Sequence, residues 1–186
     1  MLDNALIFAK KLIAAHIQPG DIAIDATVGN GHDTLLLAEL VSETGKVYGF
    51  DIQEQAVLKT REVLLKSGFD NRAEIIHAGH ERMEEFLKGD VTAVMFNLGY
   101  LPHGDKSIIT EPETTVRAIE AAINLLKPGG LITVICYLGH AEGSIEADAV
   151  RQFAQNLPNQ QFAVIEYRAI NKNFPPFLIA IEKYVK

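Results

Sequence analysis

Two aspartates bracket a glycine-rich segment early in the chain, and their spacing is typical of a nucleoside-binding site. Asp25 ends a short apolar run, Gly29 and Gly31 follow closely, and a second apolar run ends in Asp51. Open α/β sheets hold nucleosides with a strand, a glycine-rich turn, a helix and a second strand that ends in an acid. The pattern therefore predicts a ligand-binding loop with an acid at the carboxyl end of each strand.

The residues around the glycines depart from the dinucleotide fingerprint. Its third small residue would stand where this chain has Thr34. A carboxylate at Asp25 would repel the diphosphate of a nicotinamide or flavin nucleotide in a poorly solvated cleft. S-adenosylmethionine has no phosphate and carries an ammonium and a sulfonium, so Asp25 favours it. We therefore expect S-adenosylmethionine, with a dinucleotide or no cofactor as the alternatives.

The expected cofactor contacts come from several strand ends. Asp51 suits the ribose hydroxyls, and Ile52 and Gln53 would flank the adenine. The predicted cofactor-binding residues are Asp25, Thr27, Gly29, Asn30, Gly31, His32, Asp33, Thr34, Asp51, Ile52, Gln53, His80, Asn97 and Leu98.

The turn Asn97-Leu98-Gly99-Tyr100 is the segment that we interpret as reactive. Enzymes that methylate amino groups often place an Asn or Asp and an aromatic residue in such a turn after the fourth strand. The amide oxygen and a backbone carbonyl accept hydrogen bonds from the nitrogen and aim its lone pair, so alignment supplies most of the acceleration. We predict Asn97 and Tyr100 as catalytic residues; the alternative is a simple turn with Tyr100 packed on the surface.

The histidines and the cysteine give weaker evidence for a metal site or a catalytic nucleophile. His80, His103 and His140 match no metal-ligand spacing, so we expect no metal. Cys136 lies in an apolar strand pattern and is interpreted as a core residue. A single cysteine allows no intrachain disulfide and favours the reducing cytoplasm.

Strand and helix patterns alternate and predict one α/β domain over residues 1–186. The predicted strands are 22–26, 47–51, 73–77, 91–97, 131–137, 161–170 and 176–184, and the predicted helices are 4–16, 31–42, 53–67, 80–88, 113–126 and 143–156. No helix separates the last two strands, so we expect them to pair antiparallel. Five parallel strands closed by this hairpin give a mostly parallel seven-stranded sheet, the plan of a Rossmann-like class I methyltransferase.

The net charge and the hydropathy of the chain limit the kinds of partner that it can bind. A net charge of −7 argues against broad, sequence-independent binding of nucleic acid, although it allows a local footprint on a structured RNA. No apolar run is long enough to span a bilayer, so we expect no membrane partner. We predict an exposed apolar face on the first helix (Leu6, Ile7, Ile13) that would pack on its own domain or on a second copy, so a homodimer is one of the expected partners.

Three blocks of the sequence resemble the small bacterial rRNA methylase-like family. They are the glycine-rich segment 26–34, the segment 97–102 with Gly104-Asp105-Lys106 and Thr110, and the segment 137–140. Members of that family are assigned as tRNA 5-(aminomethyl)-2-thiouridine methyltransferases. The resemblance covers nearly the whole chain, and its middle block is more selective than the glycine-rich one.

The resemblance implies methyl transfer from S-adenosylmethionine to the exocyclic aminomethyl group of a modified wobble uridine in tRNA. It also implies that Gly104 to Thr110 and Tyr137 to His140 hold the anticodon nucleotide. The implied substrate-binding residues are Tyr100, Lys106, Tyr137, Gly139 and His140. The alternatives are a methyltransferase that acts on rRNA or a small amine, and a non-catalytic module that binds S-adenosylmethionine.

Overall fold

The computed structural model describes residues 2–99, 109–138 and 141–184, with only the backbone at 141 and 142. The strands are β1 (Ile22–Asp25), β2 (Lys46–Asp51), β3 (Ala73–His77), β4 (Val91–Asn97), β5 (Leu126–Cys136), β6 (Phe162–Tyr167) and β7 (Phe177–Lys183). The helices are α1 (Ala5–His16), α2 (His32–Val41), α3 (Glu54–Ser67), α4 (Met83–Phe86), α5 (Pro112–Leu125) and α6 (Ala141–Gln155), and a 3₁₀ turn at His80–Arg82 precedes α4.

The strands form a seven-stranded sheet in the order β3-β2-β1-β4-β5-β7-β6. Strands β1 to β5 pair in parallel, and β7 runs antiparallel to both of its neighbours. The predicted fold class and the antiparallel pairing of the last two strands are confirmed. Because β1 lies between β2 and β4, the winding reverses there, and open α/β sheets bind ligands at such a point.

The sheet is covered on both faces because its strands alternate their side chains. In β1, Ala23 belongs to the core cluster on one face and Ile24 to the cluster on the other. Helices α1, α2 and α3 pack on the first face, and α4, α5 and α6 pack on the second. With both faces buried, the rim formed by the strand ends is left to bind a ligand.

Two predicted segments differ from the structure by more than three residues at one end or in their type, for local reasons. β5 begins at Leu126 rather than at 131, because Leu126 pairs with Val91 before an irregular stretch of the ladder. The predicted helix over 80–88 is split into the 3₁₀ turn and the short helix α4.

The first helix is amphipathic, but its predicted exposed face is wrong at one position. Ile13 is fully buried in the core, whereas Ile7 is 47% exposed. The Asn4 side chain accepts a hydrogen bond from the Ile7 N–H and caps the helix. The homodimer stays a prediction.

Within the described ranges, every helix is too short or too polar to cross a bilayer.

Candidate functional site

A cavity of about 720 Å³ opens at the carboxyl rim of the sheet. This volume lies within the range of small-molecule sites. The predicted residues that line it are Thr27, Gly29, Asn30, His32, Asp33, Asp51, Ile52, Gln53, His80, Asn97, Leu98 and Tyr137. The structure thus brings the ends of β1, β2, β4 and β5 together around one space.

The carboxylate of Asp51 organises the loop between β1 and α2. Its Oδ2 accepts a hydrogen bond from the Gly29 N–H at 2.9 Å, and its Oδ1 accepts one from the Gln53 N–H at 2.9 Å. Ile52 beside it is 56% exposed and lines the cavity. A carboxylate next to an exposed apolar side chain fits a ribose and its attached flat base, which is the role predicted for these residues.

Asp25 is buried beneath the cavity and does not line it. Its Oδ1 accepts from the Thr27 N–H at 3.1 Å, and its Oδ2 accepts from the Thr34 hydroxyl at 2.6 Å. Burial and the nearby charges of Asp33 and Asp51 raise the pKa of Asp25 to about 7, against the effect of the two hydrogen bonds. Its two hydrogen bonds tie this carboxyl to the loop after β1 and to the first turn of α2.

Asp33 presents the carboxylate that does reach the cavity wall. Its Oδ1 lies 2.7 Å from Nζ of Lys10 on α1, and 15% of its side chain is exposed. Asp25 was predicted to favour the cofactor directly or through water; because Asp33 lines the cavity and Asp25 does not, Asp33 is the better placed of the two for a direct contact. Nearby, Lys59 donates a hydrogen bond to the Asn30 side chain at 2.5 Å.

Gly31 does not line the cavity, and close packing against α3 explains why this position is a glycine. It has φ +82, and a Cβ there would lie 2.8 Å from Oγ1 and 3.3 Å from Cα of Thr60 on α3. The Thr60 hydroxyl also donates to the Gly29 carbonyl at 3.3 Å. The second glycine therefore lets α3 approach the loop between β1 and α2.

Gly31→Ala is expected to lower the free energy of unfolding by about 2 to 4 kcal/mol, because a left-handed backbone and a steric clash combine. Gly68→Ala is the matched control. Gly68 has φ +71 with open space around its Cβ position, so it carries the backbone penalty alone, about 1 kcal/mol. Urea denaturation measures both variants, and equal losses would contradict the packing argument.

His80 is a buried neutral imidazole at the cavity wall. Its Nδ1 lies 3.0 Å from the carbonyl oxygen of Ala26, which can only accept, so Nδ1 carries the proton. Burial lowers the pKa of His80 below its usual value. The ring also packs near Phe96, with centroids 5.6 Å apart. His80 therefore shapes the wall and stays uncharged at neutral pH.

The backbone of the Asn97-Leu98-Gly99 turn is held from three sides. The Asn97 N–H donates to the Thr27 hydroxyl at 2.7 Å, and the Leu98 N–H donates to the Ile135 carbonyl at 3.1 Å. The Gly99 N–H donates to the Thr110 hydroxyl at 2.9 Å. These contacts fix the direction in which the turn presents its polar groups to the cavity.

A buried glutamate on α6 extends this network. Glu146 is 3% exposed and accepts hydrogen bonds from the hydroxyls of Thr110 and Thr115, each at 2.7 Å. Thr110 also donates its N–H to the Gly99 carbonyl at 3.1 Å. Glu146 thus links α5, α6 and the end of the loop after β4 to the predicted reactive turn.

The side chain of Asn97 is oriented by Tyr137. The Tyr137 hydroxyl donates to Oδ1 of Asn97 at 2.9 Å. Burial, and then the charge of Asp33, raise the pKa of Tyr137, while its hydrogen bond to Asn97 lowers it. The phenol remains a donor at neutral pH, so it holds the amide oxygen in place.

Several predicted residues lie outside the described part of the chain. They are Tyr100, His103, Lys106, Gly139 and His140, together with most of the segment 104–110. Their predicted roles stay predictions.

Among the polar and aromatic residues that line the cavity, four were not predicted as site residues. They are Glu81, Glu111, Thr114 and Phe174. The first three lie on surface turns or at a helix start, where a polar residue carries no signal in the sequence. The sequence does mark Phe174 as a candidate, because it is an aromatic residue next to prolines in an otherwise polar connection. That connection joins the last two strands at the carboxyl rim of the sheet.

Among the described residues, no three His, Cys, Asp or Glu side chains group closely enough to hold a metal. Cys136 is 1% exposed, and burial raises its pKa to about 12, which suits a core residue.

The strand order, with its reversed strand β7 and the cavity between β1 and β4, defines a Rossmann-like class I methyltransferase fold. The chain belongs to the family described as "Putative rRNA methylase", whose model matches residues 47–182.

Two solved structures at substantial identity support this assignment. A "putative rRNA-methylase" from Clostridium thermocellum is 43% identical, with a TM-score of 0.97 over 98% of this chain and 99% of that chain. A "putative methyltransferase" from Streptococcus mutans, in complex with SAH, is 38% identical, with a TM-score of 0.91 over 98% of this chain and 99% of that one.

A curated relative adds a named activity. The protein named "tRNA (mnm(5)s(2)U34)-methyltransferase, chloroplastic" from Arabidopsis thaliana is 38% identical over 177 residues, which are 90% of this chain. The chain spans 65% of the length of that relative.

Proposed function

We propose that this protein transfers a methyl group from S-adenosylmethionine to the exocyclic aminomethyl nitrogen of 5-aminomethyl-2-thiouridine at the wobble position of tRNA. The observation that carries the proposal is the Asn97 turn, which is fixed on the rim of the cavity beside the predicted cofactor loop. The name of the Arabidopsis relative supports the same substrate.

The residues present fit S-adenosylmethionine. Asp51 and Ile52 line the end of the cavity that suits a ribose and its base. The three acids Asp25, Asp33 and Asp51 lie close enough beside the first strand for their charges to interact, which favours an ammonium and a sulfonium and disfavours a diphosphate. When bound, this cofactor supplies an electrophilic methyl group. The SAH complex of the Streptococcus mutans relative supports the assignment.

The acceptor is a primary amine, and Asn97 is suited to orient it. An amide oxygen has two lone pairs, and Tyr137 occupies one of them. The second lone pair of the amide oxygen can accept a hydrogen bond from an N–H of the amine. The lone pair of the amine nitrogen then points away from Asn97. Fixing that direction accelerates the transfer because the orientation is prepared before reaction.

The direct test is conversion of the wobble nucleoside. Purified protein is incubated with S-adenosylmethionine and tRNA from cells that lack this methylation, and the tRNA is digested and analysed by mass spectrometry. We expect 5-aminomethyl-2-thiouridine to be replaced by its N-methyl form. If a preparation that binds S-adenosylmethionine left the nucleosides unchanged, the tRNA assignment would be excluded.

The alternatives are tested in the same reaction. Ribosomal RNA and small amines compete with tRNA for radioactive methyl transfer, and inhibition by rRNA or amines alone would favour a different acceptor. A protein that binds the cofactor and methylates none of them would be a binding module. The predicted cytoplasmic location remains to be tested by fractionation; the name of the Arabidopsis relative specifies the chloroplast.

A further inference from the structure

The connection between β6 and β7 lies beside the cavity because of the direction of β7. Phe177 begins β7 and pairs with Cys136 at the end of β5. A strand antiparallel to its neighbour begins where the neighbour ends, so residues 168–176 lie on the carboxyl rim. This segment, here called the rim loop, stands next to Tyr137 and Leu138.

Phe174 in the rim loop contributes an exposed aromatic ring to the cavity. The residue is 74% exposed and also lines the cavity. Its φ of +47 is in the left-handed region, which is unusual for a bulky side chain and costs about 1 kcal/mol or more. Burial of the ring does not offset this cost in the free protein.

The charge of the rim loop differs from that of the whole protein. It contains Arg168 and Lys172 and no acidic residue, in a chain whose net charge is −7. Both residues are exposed, although Nε of Arg168 lies 3.1 Å from Glu166. An exposed aromatic ring with flanking cations is the combination that binds unpaired nucleotides, through base stacking and phosphate contacts.

We infer that Phe174 is a stacking platform for an unpaired nucleobase of the RNA substrate, and that Arg168 and Lys172 contact the adjoining phosphates. The inference rests on the proposed function and adds a binding surface to it. Phe174 then forms part of the cavity wall, so that the flipped nucleotide lies between the rim loop and the Asn97 turn.

The test uses a tryptophan reporter, because the chain contains no tryptophan. Phe174→Trp is titrated with an anticodon stem–loop RNA that has uridine at the wobble position, and its fluorescence is recorded. Stacking on a base quenches indole emission, so we expect a saturable decrease. Ile170→Trp is the matched control, since Ile170 is 89% exposed in the same loop and does not line the cavity.

A kinetic measurement tests the same contact independently. Phe174→Ala is expected to raise the KM for tRNA about 5- to 100-fold, the loss that removal of one stacked base produces. Calorimetry should show that Phe174→Ala binds S-adenosylmethionine with an affinity within about twofold of that of the unmodified protein. Phe174→Trp should keep the original KM, and Ile170→Ala should leave it unchanged.

The outcomes separate this inference from the proposed function. If tRNA is methylated while Phe174→Ala keeps its KM and Phe174→Trp is not quenched, the stacking inference fails and the function stands. If tRNA is not methylated but the stem–loop quenches Phe174→Trp and not Ile170→Trp, the RNA-binding surface stands and the function fails. A loss of cofactor affinity in Phe174→Ala would place the ring against the cofactor and overturn the inference.

Discussion

Asn97→Ala is expected to lower kcat for tRNA methylation by about 10²- to 10³-fold, because the amine loses the acceptor that aligns its lone pair. The backbone of the turn should persist, since its hydrogen bonds to Thr27 and Ile135 do not involve the Asn97 side chain. Cofactor affinity should therefore stay within about twofold. Single-turnover kinetics and calorimetric titration with S-adenosylmethionine measure the two quantities separately.

Tyr137→Phe is the control that separates alignment from general damage. It leaves the amide of Asn97 in place but removes the hydroxyl that orients it. We expect kcat to fall about 3- to 10-fold, the usual effect of one lost neutral hydrogen bond. If both variants retained the original kcat, the Asn97 turn would be a structural turn and the catalytic assignment would be wrong.

The strand ends of the site could be predicted from the sequence because apolar runs that end in a polar residue are local patterns. Asp25, Asp51 and Asn97 each end such a run, and parallel pairing brings their strand ends to one rim. The parallel pairing of β1 to β5 and the antiparallel final pair were also predictable, since helices alternate with strands until the final pair.

The hydrogen-bond network around Glu146 could not be predicted from the sequence, because its members are far apart in sequence. Glu146 on α6 holds Thr110 and Thr115 across more than thirty residues. A glutamate within a helix is usually a solvated residue, and only the packing of α6 against α5 makes it buried. The position of Phe174 likewise depends on β7 entering the sheet between β5 and β6.

The structure refines the electrostatic argument for the cofactor. The sequence favours Asp25 as a carboxylate that faces the ligand, whereas the structure places it under the loop, with Asp33 at the cavity wall. The three acids Asp25, Asp33 and Asp51 repel one another when no ligand is bound, and this repulsion contributes to the raised pKa of Asp25. A cationic ligand would relieve that repulsion, and a diphosphate would increase it.

Burial of Asp25, together with this repulsion, gives the free protein a specific dependence on pH. The pKa of Asp25 is 3.8 when the chain is unfolded and about 7 when it is folded, so the folded state holds the extra proton between these values. Stability therefore falls as the pH rises from about 4 to about 7, and the loss is complete above pH 7. Asp25→Asn removes the charge and should raise the free energy of unfolding at pH 8 by on the order of 2 kcal/mol.

The same variant should come closest to the unmodified protein in stability below about pH 3, where Asp25 is protonated in both the folded and the unfolded state. Denaturant titrations across this pH range measure the difference, and Asp70→Asn at an exposed site is the matched control. Asp25→Asn should also bind S-adenosylmethionine more weakly, because the negative potential beside the ligand decreases. An equal stability difference at about pH 3 and at pH 8 would show that folding does not raise the pKa of Asp25, and the buried carboxyl would then contribute no pH dependence.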